Sequence, residues 1–263
     1  NLSFRGTFTY AKNTILEIDE PESVKGTYRS QTGQSINTLY GYWADGLYTA
    51  EDFDADGNLA KGLPVPELGA TVRPGDIKYL DMNGDGKITN EDQGYIGGTN
   101  DPRIVYGFGA NIDWKGIDLS FFFQGTGDTW RIIGGDDYFI PGSGQGVLGN
   151  VFTNYNDRWT ESNPSQHVFW PRLSESTNTN NNVASTWWKK NMSFLRLKSI
   201  ELGYTLPKSA LQKMHAKNFR IFVSGNNLFY FSSFKLWDPE LATNNGLRYP
   251  AMRSGMIGLE IGF

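Results

Sequence analysis

One stretch of the sequence, DMNGDGKITNED, has the oxygen-bearing residues and the spacing of a calcium-binding loop of the EF-hand type. A tight turn brings alternate side chains to one point, where a hard cation would neutralise carboxylates that otherwise repel each other. The candidate Ca²⁺ ligands are Asp81, Asn83 and Asp85 by their side chains, Lys87 by its backbone carbonyl, and Asp92 at the last loop position.

The same loop also departs from the EF-hand pattern. The usual bidentate Glu at the last position is replaced by the shorter Asp92, Thr89 stands at position nine, and no amphipathic helix flanks the loop. A Gly/Asp/Asn-rich turn held by side-chain hydrogen bonds without metal is therefore an open alternative. A sensor role is not expected, because the two helices that would open are absent. A bound ion would instead staple a surface loop.

Two acidic pairs, Glu51-Asp52 and Asp136-Asp137, could suggest the carboxylate couple of a glycosidase. Nothing in the sequence fixes the distance between their carboxylates, and charged loop residues in contact with water explain both pairs more simply. The glycines of GFGAN are followed by no helix, so a dinucleotide site is not expected either. The sequence predicts no enzyme and no catalytic residue.

Several aromatic residues fall in a long polar stretch between residues 127 and 192. They could stack on sugar rings or anchor the loop, and the second interpretation is preferred. These residues are Trp130, Tyr138, Trp187 and Trp188. Within the same stretch, SESTNTNNNVAS (174–185) is predicted to be a mobile loop tip.

The composition excludes several classes of protein. A net charge of −4 and a pI of about 5.3 give no basic stripe for nucleic acid, and the absence of Cys excludes disulfides and Cys-based zinc sites. The mean hydropathy of −0.45 predicts no membrane-spanning helix. Aromatic residues nevertheless reach 14%, and the chain has 31 glycines, as expected of a β architecture.

The elements that must carry the loop are β-strands, because apolar residues alternate with small or polar ones over about ten residues, the length of a tilted bilayer-crossing strand. The seven candidate strands are 2–10, 36–48 (the weakest), 104–114, 117–126, 194–206, 219–230 and 254–263. Lys115-Gly116 predicts a tight hairpin turn. Leu195 and Leu197 are out of phase with Ile200, which we interpret as a strand leaving the bilayer, with a β-bulge as the alternative.

Such alternation fits either a soluble β-sandwich or an outer-membrane barrel. The barrel is favoured because aromatic residues end the apolar faces and because short connections contrast with long polar ones. Placing the short turns at the periplasm orients the strands and leaves 49–102 as an outside loop. The connection 13–35 then falls on the periplasmic side, where its length fits poorly. By alternation, Asn111, Gln124, Arg220 and Glu260 face the lumen.

Two long motifs resemble the C-terminal signature of SusC/RagA-type TonB-linked outer-membrane proteins. The first is PGDIKYLDMNGDGKITNEDQGYIGGTNDPRIVYGFGANIDWKGIDLSFFFQGTGD, and the second is SFLRLKSIELGYTLPKSALQKMHAKNFRIFVSGNNLFYFS, with a terminal Phe263. The resemblance runs from about residue 36 to the end. The fold expected for 1–263 is therefore all-β: an antiparallel transmembrane β-barrel segment of about seven C-terminal strands, with the plug and earlier strands elsewhere in a longer protein.

The resemblance also implies a function and partners. The segment would form wall and outside loops of a TonB-dependent importer of oligosaccharides or peptides in the outer membrane of a Gram-negative bacterium. A SusD-like surface lipoprotein would cap it, TonB would act through the missing N-terminal region, and outer-membrane lipid would surround it. The alternative is a secreted β-sandwich or dockerin-like module that binds carbohydrate with the help of calcium.

Overall fold

A computed structural model describes residues 1–134, 152–174, 178–213 and 215–263. The strands are, in chain order, β1 (Leu2–Tyr10), β2 (Thr38–Gly41), β3 (Ala44–Leu47), β4 (Val65–Pro66), β5 (Ile77–Tyr79), β6 (Lys87–Ile88), β7 (Gly94–Thr99), β8 (Ile104–Trp114), β9 (Ile117–Gly127), β10 (Trp130–Ile132), β11 (Lys189–Asn191), β12 (Phe194–Thr205), β13 (Asn218–Asn226), β14 (Tyr230–Ser232) and β15 (Ser254–Gly262). The α-helices are α1 (Thr179–Asn182) and α2 (Lys208–Lys213), and 3₁₀ turns cover Ala50–Asp52, Asn90–Asp92 and Pro239–Leu241. Within these ranges, no helix has the length and apolar character needed to cross a membrane.

One antiparallel sheet dominates the molecule, and it confirms the predicted all-β fold class. Its order is β1-β8-β9-β12-β13-β15, and β14 pairs with the beginning of β12. Six of the seven candidate strands lie in this sheet, with ends close to the predicted ones. The predicted strand 219–230 is shorter in the structure: β13 ends at Asn226, because Asn227 adopts a left-handed φ of 53° that turns the chain out of the strand.

The remaining candidate strand, 36–48, does not belong to the large sheet, so this prediction is wrong. It forms β2 and β3, which pair with β7 and β5 in two separate small sheets. Its apolar residues Leu39 and Leu47 are buried among the connections rather than along the large sheet. As a result β1 and β8 are direct neighbours, and 11–103 is one connection. The segment 13–35 is therefore part of this connection, and it does not have to be placed among the short turns at the other end of the sheet.

The connections are sorted by length between the two ends of the large sheet. At one end lie the turn Lys115-Gly116 and the segment 206–217 that contains α2; at the other lie 11–103, 128–193 and 233–253. Lys115 and Gly116 both have positive φ, 49° and 88°, as a tight hairpin turn between two twisted strands requires. We call the two ends of the sheet the turn end and the loop end.

A β-bulge explains the change of phase in β12. The pairing of β12 with β9 shifts register between Leu197 and Ser199, so that Lys198 is the extra residue. The shift puts Leu197 opposite Phe123 and Ile200 opposite Phe121, and both therefore lie on one face. The bulge alternative is correct, and a strand leaving the bilayer is not needed to explain the phase.

The two faces of the large sheet differ in chemistry, and the apolar one is bare. Leu259 keeps 55% of its surface exposed, and Tyr106 and Phe121 are only half-buried. Other large apolar residues exposed on this face are Leu2, Phe4, Phe8, Tyr10, Phe108, Ile112, Trp114, Ile117, Leu202, Tyr204, Ile221, Val223, Ile257 and Ile261. Among the described residues no second sheet covers them, which contradicts a β-sandwich.

The packed interior lies at the loop end rather than against the large sheet. It is built of large apolar and aromatic side chains from the three long connections. Its buried members are Tyr42, Leu47, Ile77, Tyr79, Ile88, Ile133, Trp159, Trp170, Trp188, Met192 and Phe234. The long connections therefore form a folded cap, which we call the loop core, on a single-layered sheet.

Candidate functional site

The EF-hand-like loop is a series of tight turns on the outside of the loop core. The two carboxylate oxygens of Asp81 accept hydrogen bonds from the backbone N–H groups of Gly84 (2.7 Å) and Gly86 (2.8 Å). The side-chain oxygen of Asn83 accepts one from the N–H of Asp85, 2.9 Å away. Both glycines have a positive φ, 77° and 82°, which allows the sharp reversals. Asp81, Asn83 and Asp85 therefore lie in consecutive turns of one loop, and their role as Ca²⁺ ligands stays a prediction.

Lys87 forms an ion pair through its side chain and a hydrogen bond through its backbone. Its N–H donates to Asp85 Oδ1 at 2.8 Å, and its Nζ lies 2.6 Å from Glu67 Oε1. That ion pair accompanies the short parallel pairing of β4 with β6. The adjacent Ile88 is fully buried in the loop core, so the loop is anchored on this side.

Asp92 has a different environment from the other predicted ligands. It is fully buried, and its carboxylate accepts hydrogen bonds from the N–H groups of Met82 and Thr89, each at 2.8 Å. The second bond caps the 3₁₀ turn Asn90–Asp92 and the first closes the loop across its base. In the described ranges no group of three or more His, Cys, Asp or Glu side chains converges as a metal site. Asp92 therefore closes the base of the loop by accepting backbone hydrogen bonds.

The predicted lumen-facing residues lie on the polar face of the large sheet. Arg220 lies at the turn end, where its guanidinium contacts Asp118, Glu201 (2.6 Å) and Glu260 (3.4 Å). Gly203 stands beside this cluster, and a Cβ there would lie 2.6 Å from Arg220 Nη2. A side chain at position 203 would therefore require the Asp118 or Arg220 side chain to shift.

The other two residues of that set face the same way. Asn111 Nδ2 donates to Ser3 Oγ across the β1–β8 pair at 3.3 Å, and Gln124 pairs with Gly107 and Arg196 on its two neighbouring strands. The face thus carries polar groups along its length.

A buried polar network at the centre of the loop core was missed by the sequence analysis. Asp76 has no exposed surface, and its carboxylate receives Arg172 in a two-pronged pairing at 3.0 Å. The amides of Asn178 and Asn181 also donate to Asp76 Oδ1, at 2.9 and 3.0 Å. Arg73 closes the turn with its N–H at 2.8 Å. The network joins the connection after β1 to the one after β10.

The prediction of a mobile tip at 174–185 is therefore wrong for its described part. Asn178, Asn180, Asn181 and Ser185 are all buried, and Asn180 Nδ2 donates to Ile77 O at 2.9 Å. An Asn-rich run resembles a solvated loop, but here its amides satisfy the backbone and carboxylate groups of the loop core. Residues 175–177 lie outside the described residues.

The tryptophans of the same connection anchor the loop. Trp188 is buried and donates its Nε1–H to Asn181 O at 2.7 Å, and Trp187 donates to Phe169 O at 3.2 Å. Trp130 donates to Asp128 at 3.0 Å. The predicted anchoring role is thus the one the structure supports for these three; Tyr138 lies outside the described residues.

The described acidic pair gives no sign of a catalytic couple. Asp52 Oδ2 accepts from the N–H of Thr49 at 2.7 Å and caps the 3₁₀ turn Ala50–Asp52, while its Oδ1 lies 3.8 Å from Lys78 Nζ. The other pair, Asp136-Asp137, lies outside the described residues. The carboxylate of Asp52 therefore has a structural role.

Taken together, the sheet and its ends define a class of protein. A single antiparallel layer has one bare apolar face, one polar face, short connections at one end and a folded cap of long ones at the other. Aromatic side chains, Trp114 and Tyr204, stand exposed at the turn end of the apolar face. This arrangement is that of a wall segment of a transmembrane β-barrel.

Comparison with known proteins agrees with this class. The chain is 28% identical to the TonB-dependent receptor P26 of Formosa agariphila over an alignment that covers all of this chain and 27% of that protein. It is 29% identical to TonB-dependent receptor P3 of the same organism, over 88% of this chain and 22% of that protein. The chain thus spans about a quarter of the length of these curated relatives. No family model matches it.

Solved structures show the same fold. The chain superposes over its whole length on 27% of a chain in the structure of the RagAB peptide transporter, with a TM-score of 0.65 and 23% identity. The RagAB peptide importer in its open-open state gives the same TM-score at 22% identity. These similarities confirm the resemblance to SusC/RagA-type TonB-linked outer-membrane proteins and extend it to residues before 36.

Proposed function

We propose that this chain forms wall and outside loops of a TonB-dependent importer in the outer membrane of a Gram-negative bacterium. The observation that carries the proposal is the bare apolar face of the large sheet, on strands of nine to twelve residues. Strands of this length cross the hydrocarbon layer when tilted. A protein in water would cover such a surface, because exposed apolar patches of this extent favour association.

The whole importer would need parts outside these residues. We infer from the resemblance that a plug occupies the lumen, that TonB acts on it, and that a SusD-type lipoprotein closes the loop end. The proposed cargo is an oligosaccharide or a peptide. Because the chain is similar to part of the RagAB peptide transporter, a peptide is as reasonable a cargo as an oligosaccharide. The loop core, folded and rich in aromatic residues, is the surface that such a partner and cargo would meet first.

The relatives' names describe receptors and transporters. We accordingly propose that the chain has no catalytic role and that its polar face serves passage. Asn111, Gln124, Arg220 and Glu260 would line that path.

Calcium binding by the EF-hand-like loop stays part of the proposal. Asp81, Asn83 and Asp85 lie in consecutive turns of the loop, the Lys87 N–H donates to Asp85, and Asp92 closes the base of the loop by hydrogen bonds. The ion would stiffen a loop whose backbone is already turned. Asp85→Ala is expected to abolish Ca²⁺ binding to the loop, measured by calorimetry, and to leave the strands folded. Loss of the whole sheet in this variant would refute the proposal that the ion only stiffens the loop.

The importer proposal is tested on the complete protein in its bacterium. Deletion of the gene should abolish uptake of one class of labelled oligosaccharide or peptide, and reintroduction should restore it only while the inner membrane is energised. The complete protein should also fractionate with the outer membrane. Recovery in the soluble fraction, or uptake that ignores de-energisation, would refute the proposal.

A further inference from the structure

A cavity of about 320 Å³ at the loop end is lined by all three long connections. The first connection contributes Leu39 and Asn100, the second contributes 132–134 and 182–184, and the third contributes Asn244. The volume is within the range of small-molecule sites, and binding residues are often found on loops that a rigid scaffold positions. The cavity is therefore a candidate binding site, and it shares no residue with the EF-hand-like loop.

Three asparagine side chains supply the polar side-chain groups of this cavity. The side-chain amides of Asn100, Asn182 and Asn244 form no hydrogen bond within the part of the chain that the structure describes. Two of the backbones are fixed, because the carbonyl oxygen of Asn100 accepts from Thr129 Oγ1 at 3.0 Å and that of Asn244 accepts from the Gly134 N–H at 2.9 Å. Asn182 is the last residue of helix α1. The fold thus positions three amides whose donors and acceptors are open to a ligand.

The other side chains of the lining are aliphatic. Leu39 is buried, and Ile132 and Val183 are half-buried. Among the described residues that line the cavity, none is charged and none is aromatic. An ionised ligand group would lose hydration there without gaining an ion pair, and a sugar ring would find no aromatic ring to stack on. The lining therefore favours a neutral ligand in which a polar group adjoins small apolar groups.

We propose that this cavity binds an uncharged secondary amide of the imported cargo. The proposal rests on the importer function and narrows its cargo to molecules that carry such a group. A secondary amide has one N–H and one C=O, so an asparagine side chain can donate to its oxygen and accept from its N–H at the same time. The carbon groups on both sides of the amide would lie against the aliphatic lining.

A ligand that offers only hydroxyl groups fits this lining less well. Hydroxyls that face Leu39, Ile132 and Val183 would lose hydrogen bonds to water without replacement. A peptide bond and the N-acetyl group of an amino sugar both have the chemistry of a secondary amide. The two sources are distinguished by the probes of the experiment.

The test measures binding by calorimetry to the complete, detergent-purified protein with two matched pairs of probes. One pair is a neutral, end-capped hexapeptide and its counterpart with ester linkages in place of the backbone amides. The other is N,N′-diacetylchitobiose and cellobiose, in which hydroxyls replace the acetamido groups. The amide-bearing member of one pair is expected to bind about tenfold more tightly than its partner, as one or two neutral hydrogen bonds allow. The pair that shows the preference identifies the source of the amide.

Asn182→Ala and Asn244→Ala each remove one amide from an exposed side chain of the lining. Each variant should reduce the preference by about fivefold, the effect of one neutral hydrogen bond. The matched control is Asn218→Ala, because Asn218 is an exposed asparagine at the turn end and should leave the preference unchanged.

Equal binding within both pairs of probes by the wild-type protein would overturn the proposal, as would a preference that is undiminished in both cavity variants. Energised uptake by cells of a cargo without amide groups would then leave the importer function standing. The failure of the amide site and the failure of the importer function are therefore distinguishable.

Discussion

Asp76 joins two connections that are far apart in the sequence. Its carboxylate pairs with Arg172 and accepts from Asn178 and Asn181, about a hundred residues further along the chain. Asp76→Ala would leave a guanidinium and two amides without their acceptor in the buried core. Removing one member of such a pair costs about 3 kcal/mol or more. We expect faster amide hydrogen exchange throughout 152–174 and 178–192, measured by mass spectrometry.

The control for this substitution is Asp45→Ala, because Asp45 is an exposed carboxylate in the same connection. Amides of β8, β9 and β12 should keep their protection in both variants, since the large sheet does not depend on the network. Unchanged exchange in Asp76→Ala would mean that the loop core is held by its aromatic residues alone.

At the scale of elements, the turn between β8 and β9 combines a left-handed glycine with a close backbone contact. Gly116 has a φ of 88°, and a Cβ there would lie 2.5 Å from the carbonyl oxygen of Thr205. Gly116→Ala combines a left-handed conformation with this clash. It should destabilise the folded protein by about 2 kcal/mol, measured by urea titration of the complete protein in lipid vesicles.

Gly6→Ala in β1 is the matched glycine substitution. Gly6 has no positive φ, and the nearest atom to its Cβ would be 3.7 Å away. This variant should therefore change stability by well under 1 kcal/mol. An equal loss in the two variants would show that the turn geometry is not what makes Gly116 necessary.

The elements also show where sequence reasoning succeeds. β8, β9 and β15 were predictable because apolar residues recur at every second position over most of nine to eleven residues, and the Lys115-Gly116 turn fixes how β8 and β9 pair. The segment 36–48 alternates too, but over strands of four residues, and its apolar side chains serve a core made by distant connections. Local periodicity does not reveal which layer buries a short strand.

The candidate site was predictable to the same extent. The turns around Asp81, Asn83 and Asp85 follow from local spacing, because each hydrogen bond spans five residues or fewer. The role of Asp92 depends on its burial, and the Asp76 network depends on partners about a hundred residues away in the sequence. Neither feature produces a local sequence pattern. The Asn-rich run 178–182 predicts an exposed loop, whereas Asn178, Asn180 and Asn181 are buried.

At the scale of the whole molecule, the question is which medium contacts the apolar face. Ile257 and Met256 are neighbours on β15 and are both strongly exposed, at 77% and 58%. Ile257 pairs with Val223 on the apolar face, and Met256 pairs with Ser224 on the polar one. They form a matched pair, since each is a large apolar side chain at the same depth.

Arg at these two positions should have unequal effects if lipid covers one face and the lumen lies behind the other. Ile257→Arg should cost about 2 kcal/mol or more, because a charged side chain then faces hydrocarbon, while Met256→Arg should cost far less in a wet lumen. The measurement is equilibrium unfolding of the complete protein from lipid vesicles, supported by the amount assembled in the outer membrane. Equal costs would mean that both faces meet the same medium, and the barrel wall would lose its physical basis.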